Sequence, residues 1–294
     1  MISSLGRWGG VSRQADLGGP VHYVDFGGPA DGPALVLVHG LGGSHLDWVL
    51  LAGRLTDRFR VFAPDLLGYG RNAPDHRLST IAANTDLIRR FITEVVGGPV
   101  VLVGNSMGGL IASRVGGSSV SRLVLIDPAL PLVSRSRPDV AAVMILGRLA
   151  LPMLGRSVLA FSRRGRTARQ QVLETYTRCC FDPSRVPDTL VTAVAELLDH
   201  RAARPGADDA FLASARTLLA INRRAAWAAL RDLPVPVLLI HGEQDRLVSV
   251  GSAHEAARRN PQWTVEIMAE VGHLPQIEVP DRVAAVVREW VDQG

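Results

Sequence analysis

Six short apolar runs punctuate the chain: Ala34–Val38, Arg60–Ala63, Val100–Val103, Leu123–Ile126, Val237–Ile240 and Thr264–Ile267. Their apolar residues follow one another without alternation, which suits strands covered on both faces. Between them lie segments with helical spacing: Leu46–Leu55, Ser79–Val96 with Ser79 placed to cap it, a helix from Met107 that Gly116-Gly117 should stop early, and Pro280–Val291. Strands alternating with helices predict an α/β fold with a mostly parallel central sheet flanked by helices.

From 130 to 232 the rhythm fails. That stretch has helical patterns, many arginines and alanines and no convincing strand, and proline stands near both ends (Pro128, Pro131; Pro234, Pro236). The expected organisation is a core in two parts, 1–129 and 233–294, with an inserted helical cap over 130–232. A chain of 294 residues suits one such core carrying an insertion.

Composition narrows the function classes. The net charge is only +4 and every basic residue other than histidine is arginine. No helix-turn-helix, zinc-finger or RNP pattern gathers that charge, so a nucleic-acid partner is not expected. The first thirty residues lack the apolar run of a secretory signal, which leads to a cytoplasmic expectation. Cys179 and Cys180 are adjacent, unsuited to a long-range disulfide and without metal-site spacing. The most apolar stretch, Ala141–Phe161, is broken by Gly147, Arg148, Pro152, Gly155 and Arg156, so no transmembrane segment is expected, although peripheral membrane contact stays open.

The sharpest chemical signal is Val100-Val-Leu-Val-Gly-Asn-Ser-Met-Gly-Gly109, where Gly104, Ser106 and Gly108 spell G-x-S-x-G between an apolar run and a helix. A serine is presented at a strand end only if the chain turns sharply, and glycines two positions either side let strand and helix approach. Met107 then starts the helix, and its N–H can face a developing oxyanion. The loop His39-Gly-Leu-Gly-Gly43, directly after Ala34–Val38, can bring the Leu41 N–H opposite it. A serine needs a base held in the right tautomer by a third group. Asp245 follows Val237–Ile240 and His273 follows Thr264–Ile267, so both fall at the same sheet edge as Ser106.

With these residues the chain resembles the capped, esterase- and lipase-like α/β-hydrolases, from about residue 20 to the end and including Asp65-Leu-Leu-Gly-Tyr-Gly70. The resemblance implies Ser106 as nucleophile, Asp245 as acid, His273 as base and the Leu41 and Met107 N–H groups as oxyanion hole. It implies no cofactor and no metal. An aspartate at the elbow would instead have pointed to a dehalogenase or epoxide hydrolase. Arg71 departs from the family, which often has a small hydroxyl residue there.

Other ionisable residues have plainer readings. Asp127, after Leu123–Ile126, is an alternative third member, expected to bond backbone near the cap hinge. Glu243 should brace a loop and His39 should hold its own loop, while His45 lines the mouth or covers that loop. His22, His76, His200, His241 and His254 show no partner spacing, and the arginines of Arg163-Arg164-Gly-Arg166 and Arg223-Arg224 suit a solvated face. The expected activity is hydrolysis of a small-molecule carboxylic ester through an acyl-enzyme on Ser106. A lipophilic substrate is suggested by apolar cap residues (Val143–Leu146, Leu149, Leu151, Met153, Leu154, Val158, Leu159). Three alternatives stand beside it: a carbon–carbon bond hydrolase that cleaves ring-fission products, an enzyme class that Gly104-Asn-Ser-Met-Gly-Gly109 also resembles; a receptor-like ligand binder with slow or no turnover; and an enzyme acting on amides, lactones or peroxides, since fold and triad do not fix the acyl acceptor or leaving group.

Overall fold

Eight strands form one sheet: β1 Val11–Asp16, β2 Pro20–Gly27, β3 Ala34–Val38, β4 Arg60–Pro64, β5 Val100–Asn105, β6 Val120–Ile126, β7 Val237–Gly242 and β8 Thr264–Met268. Their spatial order is β1-β2-β4-β3-β5-β6-β7-β8. β2 runs antiparallel to both β1 and β4, and all other pairs are parallel. The computed structural model describes residues 4–74, 79–131, 147, 151 and 154–293.

The six apolar runs all become strands; β3, β5, β7 and the Leu123–Ile126 part of β6 are buried on both faces as their lack of alternation predicts, whereas β4 alternates between buried and half-buried positions and β8, at the sheet edge, is mostly half-buried or exposed. On one face Leu35, Leu37, Val101, Val103, Leu238 and Ile240 pack with Trp48, Leu55 and Val287. On the other, Val36, Leu102, Leu125 and Leu239 pack with Ile88, Phe91, Leu110 and Ile111. Each such aliphatic side chain contributes about 1.5–3 kcal/mol, so the sheet supplies the stability against which its edge can hold strained backbone. The pair β1 and β2 was not expected. β1 is a solvent-facing edge, and β2 interrupts its apolar residues with His22, which is buried only because Asp65 bonds it.

Helix ends differ from the expectation in detail. Thr80, not Ser79, caps the second helical segment, its Oγ1 accepting the Ala83 N–H at 3.1 Å. The helix Ile81–Phe91 then widens into a π turn, closed by Gly97 N–H to Ile92 O at 2.9 Å. The segment expected at Leu46–Leu55 is a 3-10 turn, His45–Trp48, followed by one helical turn, Val49–Ala52. Met107–Val115 stops before Gly116 as its glycines predict, and the last helix covers Pro280–Asp292.

Between β6 and β7 the described chain is helical: Gly155–Arg163, Ala168–Cys179, Asp188–Ala202, Ala207–Leu219 and Arg223–Arg231. These helices bond loops at the carboxyl edge of the sheet. Arg201 donates to Gly68 O at 2.9 Å, Arg204 to Arg71 O at 3.1 Å, and the Ser214 hydroxyl to Ser79 O. Arg223–Arg231 instead buries Trp227 and Leu230 with the sheet-flanking residues. His76 and, of the apolar cap residues, Val143–Leu146, Leu149 and Met153 lie outside the described residues. Of the rest, Leu159 is buried against Leu212, whereas Leu151 and Leu154 are exposed. Among the described residues no helix is long and apolar enough to cross a membrane.

Candidate active site

Parallel strands deliver their following loops to one edge, and this edge collects the residues singled out by the sequence. β5 ends at Asn105, the next helix begins at Met107, and the single residue between them, Ser106, has φ 54 and ψ −119. For a residue with a Cβ such backbone costs about 1–3 kcal/mol. Ser106 is held there on both sides: its N–H donates to Ile126 O at 3.0 Å, and its carbonyl accepts from Ala129 N at 2.9 Å. The flanking glycines are required by space. A Cβ on Gly104 would lie 2.4 Å from Gly108 O, and one on Gly108 would lie 2.1 Å from Val38 O. Ser106 is half-buried between two buried neighbours, and its hydroxyl makes no hydrogen bond among the described residues.

His273 Nδ1 donates to Asp245 Oδ2 at 2.6 Å, with 5 % of the His273 side chain and none of the Asp245 side chain exposed. The other carboxylate oxygen, Oδ1, accepts the N–H groups of Leu247 at 2.7 Å and Val248 at 3.0 Å. Burial alone would raise the Asp245 carboxyl; the charge and hydrogen bond of His273, aided by His241, hold it below the usual range. The imidazole is thereby oriented, and its Nε2 makes no hydrogen bond among the described residues. Asn105 Nδ2 donates both to Ile126 O and to His273 O, each at 3.1 Å, which ties the serine turn to the histidine loop.

The imidazole bonds Asp245, not Asp127. Asp127 accepts the Gly242 N–H at 3.0 Å, in keeping with its expected backbone role. Burial, reinforced by the neighbouring Asp245 carboxylate, pushes its carboxyl well above the usual range. The two neighbouring carboxyls are thus shifted in opposite directions.

The Leu41 and Met107 N–H groups find no acceptor among the described residues. The loop carrying Leu41 is held by His39, whose Nε2 accepts the Leu66 N–H at 3.0 Å, so Nδ1 must carry the proton it donates to Gly40 O at 2.8 Å. Burial pushes this imidazole down to about 4, which keeps it in that neutral form. On the solvent side Phe211 covers the loop, 3.4 Å from where a Cβ on Gly42 would stand.

A family model fixes the lineage. The pattern of the alpha/beta hydrolase family matches residues 35–286. The chain belongs to that family. As an alpha/beta hydrolase it is 29% identical over 263 residues to a pimeloyl-[acyl-carrier protein] methyl ester esterase of Aromatoleum aromaticum, covering 88% of this chain and 98% of that protein. It is also 30% identical over 236 residues to a haloalkane dehalogenase of Mycobacterium marinum, covering 78% and 73% of the two chains. A thermophilic esterase from Thermogutta terrifontis superposes with a TM-score of 0.69 at 25% identity, covering 97% of this chain and 98% of that one.

The hydrolase also contains a buried hub that spacing did not reveal. Asp65 accepts from His22 Nδ1 at 2.7 Å, from His45 Nδ1 at 3.0 Å and from the backbone of His45 and Arg71 at 2.8 and 2.9 Å. Against burial, which would raise it, the charges and hydrogen bonds of His45 and His22 hold this carboxyl well below the usual range. His22 and His45 therefore share a partner that lies far away in sequence, which gives His22 a structural place rather than a catalytic one. His22, His45 and Asp65, like Asp127, His241 and Asp245, cluster closely enough to ligate an ion. In the first group the clustered atoms already hold one another by hydrogen bonds. Beside the glycine loop, burial pushes the half-buried Asp47 carboxyl up to about 7, against a backbone bond from Ser44 and with help from the Asp65 charge. Glu243 is exposed and receives only the Gln244 amide. The cap arginines are paired more than expected: Arg163 with Asp208 and Arg166 with Glu174.

Proposed function

We propose that this alpha/beta hydrolase cleaves carboxylic esters of small molecules, with Ser106 as nucleophile, His273 as general base and Asp245 as the acid that orients it. The observation that carries the reading is the backbone of Ser106: a serine, not an aspartate, occupies the strained turn between β5 and its helix, at the edge where His273 is already bonded to Asp245.

In this mechanism Oγ of Ser106 attacks the ester carbonyl while His273 Nε2 takes its proton. The carbonyl oxygen becomes an oxyanion held by the Leu41 and Met107 N–H groups. The C–O bond to the alcohol breaks as His273 returns the proton to it. Water, deprotonated by the same imidazole, then opens the acyl-enzyme and releases the acid. Asp245 stays ionised throughout and stabilises the imidazolium. No step calls for a metal or cofactor.

The segment 130–232 serves as a cap over this edge. Its Phe211 above Gly42, with Leu159 and Leu212 behind it, favours a substrate with an apolar chain. In this reading the protein acts on a small-molecule ester, with no nucleic acid and with peripheral membrane contact left open, and its setting is the cytoplasm. The test is a series of p-nitrophenyl esters of graded chain length together with labelling by a fluorophosphonate. Rapid turnover with labelling at Ser106 supports the esterase. Tight ester binding without turnover or labelling would replace it with the receptor-like reading.

A further inference from the structure

Three peptide groups surround the His273 side chain, and each is held by a different part of the molecule. The His273 carbonyl accepts from Asn105 at 3.1 Å. The His273 N–H donates to Cys179 O, at the end of an inserted helix, at 2.6 Å. The Gly272 N–H donates to Glu278 Oε2 at 3.3 Å. Glu278 does more than hold its own loop. Its Oε2 also accepts the Phe181 N–H at 2.9 Å, and its Oε1 accepts the Asp182 N–H at 3.3 Å and Arg185 Nη1 at 3.2 Å. Its side chain has no solvent exposure. The inserted chain approaches so closely that a Cβ on Gly272 would lie 2.2 Å from Cys179 O and 2.7 Å from Phe181 N.

Resting on the assignment of His273 as general base, we infer that Glu278 is a positioning residue that clamps the histidine loop to the Cys179–Arg185 turn of the inserted segment. A buried carboxylate is suited to this because it is acceptor-only and offers about four lone-pair sites. Here it meets three backbone N–H groups and one guanidinium. A glutamine would turn an N–H₂ group toward some of those donors. The same clamp makes this turn the fixed side of the inserted segment. Motion that admits substrate must come from its other side, because displacing this turn removes the acceptor of the His273 N–H.

The experiment compares Glu278→Gln and Arg185→Met with wild type and with Glu243→Gln, a change at an exposed residue outside the clamp. Turnover of a p-nitrophenyl ester reads kcat and KM separately. The low-field proton resonance of the His273–Asp245 bond, recorded in a Ser106→Ala background, reads the imidazole's position without any turnover. A displacement of about 1 Å costs on the order of 10²-fold in rate. Glu278→Gln is therefore expected to lower kcat about 10²-fold with KM within about two-fold, and to shift or broaden the resonance. Arg185→Met, which removes one of four donors at a partly exposed site, should do the same to a smaller extent and covers the case in which Glu278→Gln does not fold. Glu243→Gln should leave both readouts unchanged. Folded clamp variants with wild-type kcat and an unshifted resonance would overturn the inference, even if their melting temperatures fell. If wild type cleaved no ester, the ester reading would fail, while the resonance would still decide the role of Glu278.

Discussion

Asn105 and His273 stand 168 positions apart, yet the Asn105 amide donates to the His273 carbonyl at 3.1 Å. The residue beside Ser106, the proposed nucleophile, thus bonds the loop that carries His273, the proposed base. Its second bond, to Ile126 O, anchors it to β6. Asn105→Ala should lower kcat by about 10-fold or more, since small misplacements of catalytic groups are costly, with a smaller effect on KM. Steady-state kinetics on the preferred ester would check this, and an unchanged kcat would remove Asn105 from the positioning machinery.

Ser106→Ala should abolish both ester turnover and fluorophosphonate labelling while the protein stays folded, because only a half-buried hydroxyl without a hydrogen-bond partner among the described residues is lost. His273→Ala should be about as damaging, a loss on the order of 10⁴-fold or more in kcat, because members of such a triad act as a unit. Mass spectrometry of the labelled protein locates the adduct. An adduct on any other residue refutes the nucleophile.

Asp245→Asn and Asp127→Asn should differ sharply. The first replaces an ionised carboxylate with an amide that cannot stabilise the imidazolium, and the rate should drop by orders of magnitude. The second replaces a carboxyl whose ionisation burial and Asp245 disfavour, so a neutral amide of similar shape should cost less than about ten-fold. Equal losses in the two variants would mean that both carboxyls serve the histidine.

Asp47 gives stability a pH dependence. Its carboxyl titrates near pH 4 in the unfolded chain and at about 7 in the folded protein. Between those values the unfolded chain binds fewer protons, so this group's contribution to stability declines as pH rises from about 4 to about 7. Asp47→Asn, which has nothing to ionise, should gain melting temperature over wild type at pH 8 and show little difference at pH 4. A gain of the same size at both pH values would assign the effect to packing instead.

If His273 is the base, as proposed, the two residues after it bear on whether esters or ring-fission products are cleaved. Leu274 and Pro275 stand there, and leucine can line a pocket for an aliphatic chain but cannot stack on a planar conjugated system or donate an indole N–H. The shared Asn105 has its own explanation in bracing the elbow. Short- to medium-chain aliphatic esters should be turned over well and vinylogous 1,5-diketones poorly. A ring-fission product cleaved with a kcat/KM above that of every ester would reverse the assignment.

The parallel core was legible because unbroken apolar runs have few other uses, and the elbow because its glycines and serine sit at a strand-to-helix junction. The features that stayed hidden depend on partners far apart in the chain. β2 could not be recognised while His22 looked like a polar interruption, since its partner, Asp65, lies 43 positions on. Glu278 gave no signal in the sequence, because most of its donors come from the inserted segment nearly a hundred positions earlier. Ser79 and Thr80 both offer a capping hydroxyl, and only the way the preceding chain is bonded to Ser214 leaves the cap to Thr80.

The positive φ of Ser106 also has a consequence for stability. Glycine adopts such backbone without penalty, so Ser106→Gly should melt at a higher temperature than the natural chain while losing the hydroxyl. A side chain that the fold itself would not choose marks where stability has been exchanged for reactivity.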